Sequence, residues 1–309
     1  MLPLLLHGLK PSTGKGTTMT DTTDPATLQA ALEAKGIVLN DASMLDPDAL
    51  LPFSVSLDGL EGSGKTYFAL RMPKPIVLVN FGDRNPEILL YDMTEEERKD
   101  IYTTNIQPTS TEGWTLSEAV ESLKTLNTIV ATAAPSMPGG TFILDGGSSW
   151  WSVMQQVYVE PKEQAALAAG KKRAGGLIYE EANNRVRGVL GHVKSNACFL
   201  AITHQLKQNW DANGPIPDSY SAKKNSQVPF IVEVEVEFFK VCSQCGGKGC
   251  VTAGHFGRTH KARLKKLSGN TALEGLVLDS LDFPKLYKMQ TSREYDPNGA
   301  PGANYHVNP

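Results

Sequence analysis

The sequence predicts an α/β fold built on a doubly wound, mostly parallel sheet. Two apolar runs, residues 75–80 and 197–203, have the length and composition of strands that are buried on both faces. Helical patterns separate such runs, and two of them begin at Thr94 and Thr115, each followed three residues later by glutamate as in a capping box. Strands that alternate with helices indicate parallel strands joined by crossover helices.

The remaining elements follow from the same patterns. We expect strands at 53–58, 142–145 and 232–241, and helices at 67–72, 150–159 and 177–193, the second of them ending at Pro161. The helix that begins after Thr115 carries apolar residues at helical spacing, which predicts a face packed on the sheet. These residues are Leu116, Val120, Leu123, Leu126 and Val130.

Residues 59–66 read Gly-Leu-Glu-Gly-Ser-Gly-Lys-Thr and satisfy the phosphate-binding pattern G-x-x-x-x-G-K-[ST] between a strand and a helix. The glycines let backbone N–H groups turn towards phosphates. Lys65 supplies a positive charge for the β and γ phosphates of ATP, and the Thr66 hydroxyl is a ligand for Mg²⁺. We expect the nucleotide contacts to come from Gly59, Glu61, Gly62, Ser63, Gly64, Lys65, Thr66 and Tyr67.

A second Mg²⁺-binding group is expected where a buried strand of the same sheet ends in a carboxylate. The run Thr-Phe-Ile-Leu-Asp ends in Asp145, and glycines and serines follow it. Ligands of α/β sheets bind at this edge. Asp145 is therefore the predicted partner of Thr66 in holding Mg²⁺, the alternative being an ordinary aspartate at a strand end.

His204 and Gln205 follow the strand at 197–203, and a polar stretch at 206–227 follows them. A polar side chain at this strand end is a candidate for sensing the γ-phosphate and for moving the next segment; the alternative is a structural histidine. We expect 206–227 to be a long loop. It contains Lys207, Trp210, Tyr220, Lys223 and Lys224, a mixture that suits stacking on unpaired bases, although plain disorder is the alternative.

The 309-residue chain carries a net charge of -3, so any contact with a polyanion such as DNA depends on local basic patches. Two such patches lie at 171–173 and 258–266, and ordinary solvated surface explains each of them equally well. The sequence shows neither a secretion signal nor a long apolar segment, and we expect a cytoplasmic protein without a membrane partner. The predicted organisation is an acidic, partly disordered arm at 1–50, a core at 51–290, and a flexible tail at 291–309.

The order of these parts resembles the RecA-like P-loop NTPases, and it is most similar to phage proteins of this type, including single-strand annealing ATPases. The resemblance covers residues 51–241. It implies ATP hydrolysis coupled to single-stranded DNA, with Lys65, Thr66 and Asp145 at the matched positions, and a homo-oligomer in the host cytoplasm. The family carries a catalytic glutamate after its second strand, where this chain offers Asp83, and then Glu87, to orient water.

The segment at 242–260 is predicted to be a small Cys/His hairpin inserted in this core. Its Cys-x2-Cys-x4-Cys-x4-His spacing offers tetrahedral ligands for Zn²⁺ among several glycines. The predicted ligands are Cys242, Cys245, Cys250 and His255, with His260 as a replacement for the last; reduced thiols in a Gly-rich hairpin are the alternative. Three basic residues beyond it, Arg258, Lys261 and Arg263, are candidates for a finger that reaches the ATP of a neighbouring subunit.

These observations predict an ATPase that acts on single-stranded DNA in recombination or replication. A P-loop kinase of a small metabolite would use the same phosphate loop, but it needs an arginine-rich lid, and 206–227 contains no arginine. A nucleotide switch that loads replication proteins is the other alternative, and DNA-stimulated turnover separates it from the ATPase.

Overall fold

The computed structural model describes residues 50–82, 87–170, 176–212, 214–242, 258–268 and 270–296. The chain divides into two compact units at residues 45 and 46, and all of the described residues belong to the second unit. Within the described residues, no helix combines the length and the apolar character needed to cross a membrane.

The described residues form an α/β structure around a mixed, mostly parallel sheet. Its order is β3-β2-β4-β5-β1-β7-β8-β9, and β6 pairs with β5. The strands from β3 to β7 in this order are parallel, whereas β6, β8 and β9 pair in antiparallel fashion. The strands are β1 (Ser54–Gly59), β2 (Ile76–Phe81), β3 (Ile101–Ile106), β4 (Thr141–Asp145), β5 (Phe199–Asp211), β6 (Gly214–Ala222), β7 (Val234–Cys242), β8 (Arg258–Leu267) and β9 (Val277–Leu278).

Helices connect most of the parallel strands, as the sequence predicts. Both predicted capping boxes are present, with Glu97 on Thr94 and Glu118 on Thr115. The described α-helices are α1 (Lys65–Ala69), α2 (Glu87–Tyr91), α3 (Glu95–Arg98), α4 (Leu116–Ala133), α5 (Gly147–Tyr158), α6 (Glu160–Ala168), α7 (Glu180–Ser195), α8 (Val228–Ile231) and α9 (Phe283–Thr291).

Two hydrophobic clusters cover the sheet, because successive side chains of a strand point to opposite faces. Val55 and Leu57 of β1 belong to the cluster that contains the buried residues of α1 and α9. Leu200 and Ile202 of β5 belong to the other cluster, together with the buried residues of α4, α5 and α7. The polar residues of β1 alternate with its apolar ones, and this leaves polar groups buried within the sheet.

One predicted helix ends as expected, and one detail of another is wrong. The helix predicted at 150–159 ends before Pro161, at Tyr158, but a second helix, α6, begins at Glu160 and accepts proline in its first turn, where no backbone N–H is needed. Leu116 was expected on the packed face of α4 but is 52% exposed, because it is the first residue of the helix; Leu123, Leu126 and Val130 are buried as expected.

The predicted loop at 206–227 is also wrong, because most of it is a β-hairpin. β5 continues to Asp211, and β6 returns antiparallel to it, with Leu206 opposite Ala222. Asn209 fixes the pairing, since its side chain bonds with the hydroxyls of Ser219 at 3.0 Å and Ser221 at 2.7 Å. The polar composition that suggested a loop therefore belongs to a two-stranded extension of the sheet. We call β5 from Leu206 onwards, together with β6, the β5–β6 hairpin.

Candidate nucleotide site

The predicted phosphate-binding loop lies between the end of β1 and the start of α1. Gly62 and Gly64 have φ angles of 65° and 103°, in the left-handed region that glycine adopts without a steric cost. A Cβ atom on Gly59 would lie 2.4 Å from Ser63 Oγ and 2.6 Å from the Phe238 carbonyl oxygen. The loop therefore requires glycine both for its backbone angles and for its close contact with β7.

Lys65 is buried within this loop, and its ammonium group contacts the loop backbone. Its Nζ donates to the carbonyl oxygens of Gly59 and Leu60, each at 2.9 Å. Burial lowers the pKa of Lys65, while the negative charges of Asp145 and Asp58 act in the opposite direction. A cation held among carbonyl oxygens at the mouth of a glycine loop can exchange these acceptors for phosphate oxygens.

Thr66 and Asp145, which lie 79 positions apart in the sequence, meet at this site. The Thr66 hydroxyl donates to Asp145 Oδ2 at 3.0 Å. The second oxygen, Asp145 Oδ1, accepts from the Thr203 hydroxyl at 2.5 Å. Asp145 ends β4 and Thr203 lies on β5, which runs between β4 and β1. Three neighbouring strands thus bring the two predicted Mg²⁺ ligands together, and Thr203 orients the carboxylate.

The segment after Asp145 packs too closely on the sheet to accept a larger residue. Gly146 has a φ of 96°, and a Cβ there would lie 2.0 Å from the Phe81 carbonyl oxygen. A Cβ on Gly147 would lie 2.6 Å from Ile202 Cγ2 and 2.7 Å from His204 Cε1. The Gly146 N–H also donates to Thr203 Oγ1 at 2.9 Å. These contacts fix the first turn of α5 against residues 202–204 of β5.

Two further predicted contacts, Glu61 and Tyr67, lie at the exposed side of the loop. Tyr67 is 53% exposed, and the Arg71 guanidinium lies 3.4 Å from the centroid of its ring. Glu61 is also exposed. Both side chains therefore face the solvent beside the loop and are not part of the core.

A buried cluster of charged groups lies beside the site, and the sequence reasoning missed it. Lys224 Nζ lies 2.9 Å from Asp58 Oδ2, 3.2 Å from Glu235 Oε2 and 3.3 Å from Ser56 Oγ. Asp58 is fully buried at the end of β1. The alternation of Ser54, Ser56 and Asp58 with apolar residues in β1 was the available signal, because polar residues on a buried strand need buried partners.

This ion pair changes the role expected of Lys224. The sequence predicts Lys224 to be one of the cations available to a nucleic acid, but its side chain is 11% exposed and two carboxylates surround it. Lys207 and Lys223 remain exposed. The stretch 206–227 therefore offers fewer free cations than its composition suggests.

The structure separates the two predicted sensing residues, His204 and Gln205. His204 is buried, burial lowers its pKa to about 3, and neither ring nitrogen has a hydrogen-bond partner among the described residues. Its imidazole is therefore neutral at pH 7. The Gln205 side chain is exposed, and its backbone N–H donates to Ser148 Oγ at 2.9 Å.

Several predicted residues lie outside the part of the chain that the structure describes. They include Asp83, the side chains of Glu87 and Cys242, and all of Cys245, Cys250 and His255. The zinc site and the water-orienting carboxylate stay predictions for this reason. β7 and β8 do pair as a hairpin on either side of residues 243–257, with Cys242 opposite Arg258. Among the described residues, no group of three His, Cys, Asp or Glu side chains could hold a metal ion.

The basic stretch at 258–266 lies on β8, and the described partners of its cations lie within the same chain. Lys261 Nζ lies 2.7 Å from Asp279 Oδ1, and the Arg263 guanidinium lies 5.4 Å from the centroid of the Phe239 ring. Lys266 Nζ donates to two backbone carbonyl oxygens, each at 2.6 Å. The predicted finger residues Lys261 and Arg263 therefore already have contacts that they would have to leave.

No protein-family model matches this chain, and no curated protein matches it either.

Proposed function

We propose that this protein is a RecA-like P-loop NTPase that binds ATP with Mg²⁺, hydrolyses it, and acts on single-stranded DNA in recombination or replication. One observation carries the proposal. The hydroxyl of Thr66, in a loop that matches the phosphate-binding pattern, bonds with the carboxylate of Asp145 at the end of a strand two positions away in the sheet. A loop of this sequence and an oxygen ligand beside it are what Mg²⁺-ATP requires.

The residues divide the work of binding a nucleotide. Lys65 neutralises the β and γ phosphates, and the backbone N–H groups of the glycine loop bind the phosphate oxygens. Thr66 and Asp145 supply the oxygen ligands that fit Mg²⁺, which neutralises phosphate charge when bound. Thr203 holds the Asp145 carboxylate in place. Asp83 stays our candidate for orienting the attacking water, with Glu87 second.

The proposed contact with single-stranded DNA is the β5–β6 hairpin. Trp210 is 67% exposed and Tyr220 is 41% exposed, and Lys207 is exposed on the same hairpin. Exposed aromatic rings stack on unpaired bases whatever their sequence, and a nearby cation contacts the phosphate backbone. The first strand of the hairpin is the continuation of β5, the same strand that holds Thr203 and His204.

ATP hydrolysis by the purified protein, with and without single-stranded DNA, tests this proposal. Turnover should rise when DNA is added. Lys65→Ala should abolish turnover with and without DNA, because the phosphate charge loses its partner. Lys124→Ala, on the exposed face of α4, is the matched control and should keep full turnover.

The other outcomes of this experiment separate the alternatives. Turnover that DNA does not change, but that a small phosphate acceptor increases, would favour the kinase. Tight ATP binding without turnover would favour the nucleotide switch. Turnover that survives Lys65→Ala would remove the glycine loop from the mechanism.

A further inference from the structure

Two sets of hydrogen bonds, joined by the backbone from Gly146 to Ser148, connect the proposed Mg²⁺ ligands to the β5–β6 hairpin. The first set starts at Thr66 and Asp145 and passes to Thr203, whose hydroxyl also accepts from the Gly146 N–H. Two residues later, at the start of α5, Ser148 begins the second set. Thr203 and Ser148 are each 3% exposed, so the packing around them restricts their rotamers.

Ser148 contacts both ends of the hairpin with one hydroxyl group. Its Oγ accepts from the Gln205 N–H at 2.9 Å and donates to the Lys223 carbonyl oxygen at 2.6 Å. Gln205 directly precedes the hairpin and Lys223 directly follows it. The Lys223 N–H also donates to the Gln205 carbonyl oxygen at 3.0 Å, which closes the base of the hairpin. A displacement of Ser148 therefore moves both strands of the hairpin together.

Lys224 provides a second connection from the same base to the strand that carries the phosphate loop. Its ammonium group lies within 3.2 Å of carboxylate oxygens of Asp58 and Glu235. Asp58 directly precedes Gly59, the first residue of the loop. Two buried carboxylates and one buried hydroxyl thus hold the hairpin base to β1, to β7 and to the start of α5. Buried pairs of this kind resist separation, because the partner left behind would be an unpaired buried charge.

We propose that Ser148 and Lys224 are positioning residues that transmit nucleotide binding to the β5–β6 hairpin. The inference rests on the proposed function, since it needs a nucleotide at the loop. Thr66 and Asp145 would hold the Mg²⁺ of a bound nucleotide, and Gly146 and Gly147 pack too closely on β2 and β5 to absorb a shift of Asp145 locally. The displacement reaches Ser148 and, through it, the surface that carries Trp210.

The structure offers matched controls for a role that is only structural. Lys194 forms a partly buried ion pair with Glu233, whose carboxylate also accepts from Ser54, at the amino ends of the same strands β1 and β7. Ser152 lies one turn after Ser148 in α5, and its hydroxyl donates to the Ser148 carbonyl oxygen at 3.1 Å. Lys194→Met and Ser152→Ala therefore remove similar interactions without touching the hairpin base.

Hydrogen exchange of the hairpin amides, with and without Mg²⁺ and a non-hydrolysable ATP analogue, tests the inference. In the unaltered protein, the analogue should change exchange across residues 206–222 by at least about fivefold, the lower end of usual couplings between sites. Ser148→Ala should remove most of this change while the Kd for the analogue stays within about twofold. Lys224→Met should do the same, and Ser152→Ala and Lys194→Met should keep the full response.

Each other outcome has a definite meaning. Failure of the unaltered protein to bind the analogue overturns the proposed function and this inference together. Binding without any change in the hairpin overturns the inference alone, and so does a full response in Ser148→Ala. Ser148→Ala decides the question even if Lys224→Met does not fold, because it leaves no buried charge unpaired.

Discussion

Thr203 is the residue for which an effect on nucleotide binding is most easily distinguished from an effect on the stability of the fold. Thr203→Val keeps the size of the side chain but leaves Asp145 Oδ1 and the Gly146 N–H without their partner. We expect the affinity for Mg²⁺-ATP to fall about 10- to 100-fold, as is usual when a group that orients a metal ligand is lost. Titration calorimetry with Mg²⁺ and a non-hydrolysable ATP analogue measures the change.

Thr141→Val is the control for this substitution. Thr141 lies at the other end of β4, where its buried hydroxyl donates to the Pro73 carbonyl oxygen at 2.6 Å. Its loss should lower the free energy of unfolding by about 1–3 kcal/mol without changing nucleotide affinity. Equal nucleotide affinities in the two variants would show that Thr203 does no more than Thr141 does.

His204 makes the stability of the protein depend on pH. Burial lowers its folded-state pKa to about 3, below the ordinary histidine value of 6.5. Between these values the unfolded chain binds a proton that the folded chain does not, so stability is full above pH 6.5 and falls as the pH drops. The loss approaches about 1.4 kcal/mol per pH unit, or on the order of 2 kcal/mol at pH 5.

Urea unfolding at pH 7 and pH 5 measures this dependence. The Asp58 carboxylate raises the pKa of His204, and the positive charges of Lys224 and Lys65 lower it. The variants to be compared therefore keep all three of these residues. His204→Leu should lose less stability between the two pH values than the unaltered protein, by roughly the same 2 kcal/mol. His192→Gln, on the exposed face of α7, should behave as the unaltered protein does. A pH dependence that survives in His204→Leu would contradict the assignment.

At the scale of elements, the β5–β6 hairpin is the surface on which the proposed DNA contact depends. Trp210→Ala should weaken binding of single-stranded DNA by about 1–3 kcal/mol, the usual cost of losing one stacked base. Its effect on unfolding should be small because the ring is mostly exposed. Fluorescence anisotropy with a labelled oligonucleotide measures the affinity.

Tyr102→Ala is the matched control for the hairpin. Tyr102 is 60% exposed on β3, an edge strand that is separated from β5 by β2 and β4, and should not affect DNA binding. Equal losses in the two variants would point to nonspecific contact with aromatic surface, and no loss in Trp210→Ala would remove the hairpin from the proposed interface.

The hairpin also shows which elements the sequence could predict. β2 and β4 were predictable because an apolar run with clear limits is buried whatever surrounds it, and β1 was predictable because its apolar residues alternate with polar ones. The capping boxes at Thr94 and Thr115 were predictable because their bonds are local. β6 was not, since its polar residues are stabilised by cross-strand partners such as Asn209 and Ser221, which no local pattern reveals.

The candidate site divides in the same way. Lys65, Thr66 and Asp145 were predictable, because a fixed spacing and a strand end identify them. Ser148, Thr203 and Lys224 were not, because their partners come from distant parts of the chain and only the strand order brings them together. Lys224 in particular lies in a polar stretch that suggests a surface cation. Only the buried carboxylates around it in the folded chain show that it is not one.

At the scale of the whole molecule, residues from both ends of the described part meet on α9. Leu50 is buried in the same cluster as α9, and the Leu51 N–H donates to the Tyr287 hydroxyl at 3.1 Å. The Tyr295 ring lies 5.0 Å from the Phe283 ring and 5.5 Å from the Tyr287 ring, measured between centroids. The compact core therefore includes residues on both sides of 51–290.

A comparison of fragments 46–296 and 52–290 tests how much these ends contribute. The shorter fragment should be less stable by at least about 3 kcal/mol, because it loses a buried leucine, a hydrogen bond and two aromatic contacts. Fragments 46–290 and 52–296 separate the two ends, and urea unfolding gives all four free energies. Since both ends contact Tyr287, the losses of unfolding free energy caused by removing each end should not add, which is usual for residues that share a partner. Additive losses would show instead that each end stabilises the core independently of α9.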